Sequence, residues 1–334
     1  MAFDPAAREA ELVAEASTWN TSSPVPAEPG DIPIVDIGPW LATGDRVHLD
    51  AAAGVLRDAC ERVGFFQLVG HGLEGDQQRA ILDAAVRFHA LPVDVKERIH
   101  IDRPDQPLGG VGYLPIGERR LPRRSQGNRN EAFLLKRDVD IDWDDNQWLD
   151  EDALPGFRDS VIRYAVAAET LCIELVRVYA VALDLEPDWF DEAFEQPFWR
   201  LRLTHYPPEA ERHEEAFGIA PHVDTTFLTL LLQDGPGLVI YSAVRDEWIQ
   251  VPVVEDAFVV NTGELLKQWS NDRFLSTRHF ANNDTPDARY SVPLFFNASG
   301  DYPMECLPSC CGPDNPPKYA TVSYNESQAD VQGE

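Results

Sequence analysis

The sequence predicts a mainly β protein with flanking helices: an N-terminal helical region, then a double-stranded β-helix core of the jelly-roll, cupin-like kind. Two observations carry that prediction. Apolar residues recur with a helical period only before Pro197. Beyond it the apolar runs shorten to residues 199–204, 227–233, 238–241, 248–251, 257–261 and 290–296, punctuated by Gly-Pro-Gly, Asn-Asp and proline. Many short strands at this spacing build a sandwich or a barrel. At 334 residues the chain can bury a large core. The expected organisation is an N-terminal arm (1–30), one domain (31–320) with a helical part and lid (31–155) and a jelly-roll core (198–300), and a C-terminal tail (321–334).

Residues 1–30 hold an Ala/Glu patch followed by Ser, Pro and Gly, an arm that carries no chemistry. Residues 32–37 read as a short strand. Asp50 is a good N-cap for a helix over 51–63, with Ala52, Val55, Leu56, Ala59 and Val63 on one face. A strand over 65–69 ends in Gly70-His71-Gly72; a helix over 73–91 stops at Pro92, and a shorter one covers 93–99. Residues 104–137 look irregular. Within 119–137 lie seven basic residues (119, 120, 123, 124, 129, 136, 137) against one acid, Glu131, whereas 138–152 has eight acids and no base. Opposed charge blocks describe a solvated loop and its neighbour; the functional reading is a mobile lid whose cationic side faces an anionic substrate. The longest helical pattern, 157–183, has an apolar stripe from Val161 to Tyr179 on which a sheet can pack.

Composition narrows the function. Hydrophobic content of 44% and charged content of 25% are ordinary, but a formal charge of −29 argues against nucleic acid or an anionic membrane as partner. The N-terminus lacks a signal-peptide pattern and no apolar segment approaches membrane-spanning length, so the cytoplasm is the expected location. Of five cysteines, Cys60 and Cys172 fall in helical segments as small buried thiols. Cys306, Cys310 and Cys311 lie in a Pro-rich stretch where zinc is conceivable. No second Cys-x-x-Cys or histidine follows them, so solvated free thiols are expected, in keeping with a reducing compartment.

The chemistry centres on residues 220–232, Ala-Pro-His-Val-Asp-Thr-Thr-Phe-Leu-Thr-Leu-Leu-Leu. Read as one extended strand, it projects His222 and Asp224 from the same face. One more imidazole completes a facial metal triad with three open positions. His-x-acid pairs are cheap: His48/Asp50, His100/Asp102 and His213/Glu215 also occur. Asp50 is better used as a helix cap, with His48 in the loop before it; His100/Asp102 follows a helix end and precedes Arg103-Pro104, and His213/Glu215 belongs to a charged loop. Only His222/Asp224 runs into a buried strand. His279, 55 residues after Asp224 and past four strand signals, lies about where a chain returning through a jelly roll comes back beside the first strand. Ten residues later Arg289 and Ser291 share a strand face, and a guanidinium fork beside a hydroxyl is a carboxylate receptor.

The ordered set His222-x-Asp224, His279, Arg289-x-Ser291 resembles the 2-oxoglutarate/Fe(II)-dependent dioxygenases, in particular the isopenicillin N synthase-like branch. Residues 32–36, 64–72 and 91–98 are similar to that family's N-terminal region, and Leu203-Thr204-His205-Tyr206-Pro207-Pro208 to the strand that brings a tyrosine to the co-substrate. The similarity spans about 31–300. It implies Fe(II) held by His222, Asp224 and His279, with Arg289, Ser291 and Tyr206 on the distal carboxylate of 2-oxoglutarate. Thr204 departs from the asparagine that relatives often carry there.

The resemblance further implies dioxygen as oxidant and oxidative decarboxylation to succinate and carbon dioxide, coupled to attack on an unactivated C–H bond of a small metabolite, in secondary metabolism. Hydroxylation is the expected outcome, with desaturation or cyclisation on the same scaffold. Tyr113, Phe133 and Phe295 are the pocket-wall candidates, with ordinary core packing as the competing reading. One of Arg119, Arg123, Arg124 or Arg129 is the candidate for an anionic group of the substrate. The partner is thus a small molecule, with anionic character one option, and the chain a monomer or weak dimer. Two alternatives stay open: an oxidase using Fe(II) and O2 without 2-oxoglutarate, like isopenicillin N synthase, and a non-catalytic jelly roll that binds metal or ligand.

Overall fold

The computed structural model describes residues 24–73, 75–119, 127–208, 217–283 and 285–329. Two sheets face each other in a jelly roll. The smaller has the order β1 (Val25–Pro26), β10 (Glu247–Gln250), β9 (Leu238–Ser242), β12 (His279–Ala281), β7 (Ile219–His222). The larger runs β2 (Ile34–Asp36), β3 (Phe65–Val69), β11 (Phe258–Thr262), β8 (Leu228–Gln233), β13 (Arg289–Asn297), β6 (Phe198–Tyr206), β5 (Glu131–Arg137), β4 (Gly112–Leu114). Helices α1 (Gly38–Thr43), α2 (Arg46–Arg62), α3 (Gly75–His89), α4 (Val93–Lys96) and α5 (Phe157–Ala182) precede the barrel; α6 (Glu264–Trp269) and α7 (Tyr324–Ala329) come later. No helix among the described residues is long and apolar enough to cross a membrane.

Strand parity divides the large sheet into two faces. Leu201, Leu203, Leu228, Leu230, Leu232, Val260, Val292, Leu294 and Phe296 point outward and pack with the apolar stripes of α2, α3 and α5 in one core. Each such side chain contributes about 1.5–3 kcal/mol by leaving water. The alternate residues face the second sheet, and there the polar groups collect.

Several expectations need correction. Helix α2 begins at Arg46, capped at Asp45, so His48 and Asp50 lie inside it. Buried Leu49 extends the apolar stripe by a turn, and Asp50 pairs with Arg46 at 2.6 Å instead of capping. The stretch 104–137 is not wholly irregular, because β4 and β5 extend the large sheet past β6. Residues 220–232 are not one strand. β7 ends at His222 in the small sheet, β8 starts at Leu228 in the large one, and Asp224 lies in the crossover. All five cysteines are free; Cys310 is buried rather than solvated, and burial together with Cys311 pushes the Cys306 thiol up to about 12.

Candidate active site

The three side chains that could hold a metal come from the crossover and a cross-strand pair. His279, the first residue of β12, stands opposite His222, the last of β7, with ring centroids 4.3 Å apart. Each ring donates Nδ1–H to a carbonyl two residues back: His222 to Ala220 at 2.8 Å, His279 to Thr277 at 3.1 Å. That fixes the tautomer and leaves both Nε2 lone pairs free. The two Nε2 atoms lie 3.5 and 3.6 Å from Asp224 Oδ1. Ligands about 2.1 Å from a common ion and at right angles would stand roughly 3 Å apart, so a small contraction closes the site. Asp224 Oδ2 is occupied, accepting hydrogen bonds from Thr229 Oγ1 (2.7 Å) and Asn261 Nδ2 (3.0 Å). A single carboxylate oxygen is therefore presented.

The electrostatics suit a cation. Burial alone would raise the Asp224 carboxyl, but His279, His222 and Asn261 overcome it and hold it well below the usual carboxylate range. Burial, with His222 adding to it, pushes His279 down to about 4, so the imidazole is neutral at pH 7 and its lone pair available.

Across the barrel, Arg289 is 3% exposed and is held by Gly235 O (Nε, 3.1 Å) and Gln233 Oε1 (Nη2, 3.0 Å), over the Tyr206 ring at 4.7 Å. Gly237, at φ +138°, makes room for it: a Cβ there would stand 3.1 Å from Arg289 Cδ and 2.0 Å from Asn282 O. Tyr206 lies opposite Arg289, and Ser291 opposite both Thr204 and Gln233, with the Ser291 and Tyr206 hydroxyls 3.5 Å apart. Arg289 Nη1, Thr204 Oγ1 and Gln233 Nε2 are buried with no partner among the described residues. Unanswered donors grouped around a guanidinium fit a carboxylate ligand.

Comparison with known proteins decides between the readings. Residues 199–298 match the 2OG-Fe(II) oxygenase superfamily and residues 32–151 the N-terminal region of non-haem dioxygenases of morphine synthesis. The chain belongs to the 2-oxoglutarate/Fe(II) oxygenase superfamily. It is 32% identical over 311 residues to the 2-oxoglutarate-Fe(II) type oxidoreductase hxnY of Emericella nidulans, covering 88% of this chain and 87% of that protein. It is 33% identical over 296 residues to the 2-oxoglutarate-dependent dioxygenase citB of Monascus ruber (83% and 87%), and 32% over 316 residues to kihadalactone A synthase LFS of Citrus sinensis (89% and 91%). A full-length Neurospora crassa protein solved in complex with alpha-KG shares the fold, with TM-score 0.80, 24% identity and coverage of 95% and 98%. A putative 2OG-Fe(II) oxygenase family protein from Caulobacter crescentus gives TM-score 0.77, 26% identity and coverage of 90% and 97%. The protein is thus a 2-oxoglutarate-dependent non-haem iron dioxygenase, whose cofactors are Fe(II), 2-oxoglutarate and O2.

The substrate-wall expectations divide. Phe295 sits on the inner face of the dioxygenase barrel, half-buried and opposite Thr229, the residue that holds Asp224. Phe133 points the other way, because residues 131, 133 and 135 of β5 face the helices, and it packs on Phe88, Phe157 and Trp148. Tyr113 is 2% exposed beside Phe88 and donates its hydroxyl to Glu131 at 2.6 Å. Both are core residues, not pocket wall. Arg119 and Arg129 are both exposed, the Arg119 carbonyl accepting from Asn128 N. Arg123, Arg124, His213 and Glu215 lie outside the described residues.

Sequence reasoning missed Thr229, Asn261, Gln233, Asn130 and Arg202. The signal for Arg202 was available: it shares a parity on β6 with Thr204 and Tyr206, so placing Tyr206 inside places it inside too, whereas Arg200 on the same parity is exposed. A second histidine–carboxylate group, His89, Glu131 and His205, also went unnoticed. Lys96 Nζ at 2.7 Å, Tyr113 and His205 Nδ1 at 2.8 Å already satisfy Glu131, leaving no open position for an ion. A third group, His100, Asp102 and Glu118, is largely at the surface.

Proposed function

We propose that His222 Nε2, Asp224 Oδ1 and His279 Nε2 hold the Fe(II), and that Arg289, Ser291 and Tyr206 seat the far carboxylate of 2-oxoglutarate, in a cytoplasmic enzyme of secondary metabolism. Buried, partnerless Arg289 Nη1 carries this reading most strongly. Iron with 2-oxoglutarate and dioxygen supplies the oxidising capacity needed to break an unactivated C–H bond. The chain's own residues bind and orient. Gln233 and Gly235 aim the guanidinium, Thr229 and Asn261 keep one Asp224 oxygen turned to the metal, and the carbonyls of Ala220 and Thr277 hold both imidazoles in the ligating tautomer.

The substrate is a small metabolite. A relative named for making kihadalactone A, and a neighbour of the same fold solved with 5-formyluracil, support that reading. Phe295 forms a wall beside the proposed metal ligands. Hydroxylation is the expected outcome; desaturation or ring closure would follow from a different C–H presented to the same site. Anaerobic addition of Fe(II) and 2-oxoglutarate should give the weak visible band of the chelate, and oxygen should then release succinate. A protein that forms no such band, turns its substrate over without 2-oxoglutarate, or releases no succinate with any substrate would overturn the reading.

A further inference from the structure

The inner face of the barrel carries a second unanswered positive charge, apart from Arg289. Arg202 is 8% exposed, and among the described residues it makes a single hydrogen bond, from Nη2 to Asn130 Oδ1. Its Nε is buried with no acceptor, and no described carboxylate pairs with it. Asn130 is itself anchored, donating Nδ2–H to Gly218 O, so the arginine is held in place and not left to rotate. Burial pushes Arg202 down to about 10. A buried guanidinium thus stands where no described acid answers it. Such groups are normally buried only with a counter-charge, and the 2-oxoglutarate carboxylate is already matched by Arg289, Ser291 and Tyr206.

Resting on the iron and 2-oxoglutarate reading above, we infer that Arg202, held by Asn130, anchors a carboxylate of the substrate, which is therefore a small organic acid. A guanidinium fork takes a carboxylate through two parallel hydrogen bonds, which fixes orientation as well as affinity. The anchored end would set which carbon of the acid lies beside the metal ligands, making Arg202 a specificity-determining residue.

The test uses the full chain, loaded anaerobically with Mn(II) and 2-oxoglutarate and titrated with benzoate, phenylacetate and 3-phenylpropionate and with the three matching primary amides, read by thermal shift. At least one acid should bind about tenfold or more tightly than its amide. Arg202→Met should erase that preference by weakening the acid at least about tenfold while leaving the amide unmoved, and Arg202→Lys should restore part of it. Equal binding of acids and amides, no binding of any acid, or a preference surviving in Arg202→Met overturns the proposal. Loss of the Fe(II)–2-oxoglutarate band in Arg202→Met also overturns it, since the arginine would then serve the co-substrate. Absence of that band in the unaltered protein sinks the iron and 2-oxoglutarate reading instead. If neither variant folds, the acid–amide comparison on the unaltered protein decides alone.

Discussion

Asp224 presents one oxygen to a metal because the other is held, and Asn261→Leu removes half of that hold. The substitution keeps nearly the same volume on β11, so packing changes little. It deletes the 3.0 Å hydrogen bond from Nδ2 to Asp224 Oδ2 and leaves the 2.7 Å bond from Thr229. A hydrogen bond to a charged acceptor contributes about 1.5–3 kcal/mol, and 1.4 kcal/mol corresponds to about tenfold in an equilibrium constant. If the lost bond acts mainly by fixing the carboxylate, metal affinity should fall about 10–100-fold. Anaerobic Mn(II) titration followed by the free-ion EPR signal reads this directly. Thr262→Val is the control: Thr262 is buried in the same strand but directs its hydroxyl to Cys60 Sγ at 3.3 Å, and its loss should leave affinity unchanged. An Asn261→Leu protein that melts cooperatively and binds Mn(II) as tightly as the unaltered chain would refute the reasoning.

Other perturbations probe the rest of the site. Arg289→Met should weaken 2-oxoglutarate roughly 10–100-fold, through loss of about 1.5–3 kcal/mol of charge-assisted bonding; titration of the visible band reads it, and unchanged affinity contradicts the assigned role. Gly237→Ala puts a Cβ 2.0 Å from Asn282 O at a left-handed φ, so it should cost about 1–3 kcal/mol of stability and displace Arg289, lowering the melting temperature and raising the KM for 2-oxoglutarate together. Glu131→Gln leaves Lys96, 3% exposed, without its counter-charge and should cost roughly 3–5 kcal/mol at neutral pH by chemical denaturation. Burial alone would raise the Glu131 carboxyl, yet His205, His89, Lys96 and Tyr113 hold it well below the usual range. Its contribution is therefore fully present above the unfolded value near 4.3 and lost as pH falls further, at up to about 1.4 kcal/mol per pH unit, a slope that Glu131→Gln should lack.

The order of His222, Asp224, His279, Arg289 and Ser291 was legible because a facial metal site and a carboxylate receptor each need few residue types at short spacing. Their setting was less so. Asp224 looked like part of a continuous strand since Val223, Thr225, Thr226 and Phe227 are all good strand formers. Only tertiary pairing shows that the chain leaves one sheet at His222 and joins the other at Leu228. Tyr113 and Phe133 were misplaced for a related reason: without the register of β5 against β6, nothing tells an inward aromatic from an outward one. Asp50 was a plausible cap until buried Leu49 extended the helix past it. The Glu131 network could not be read at all, being assembled from α3, α4, β4, β5 and β6 only by packing.

The most direct measurement is the anomalous difference map of a crystal grown anaerobically with Mn(II) and 2-oxoglutarate. The expected result is one metal peak bonded to His222 Nε2, His279 Nε2 and Asp224 Oδ1, with Oδ2 still held by Thr229 and Asn261 and the far carboxylate of 2-oxoglutarate on Arg289. A peak at His89, Glu131 and His205 instead, or ligation through Nδ1 or Oδ2, would contradict the account.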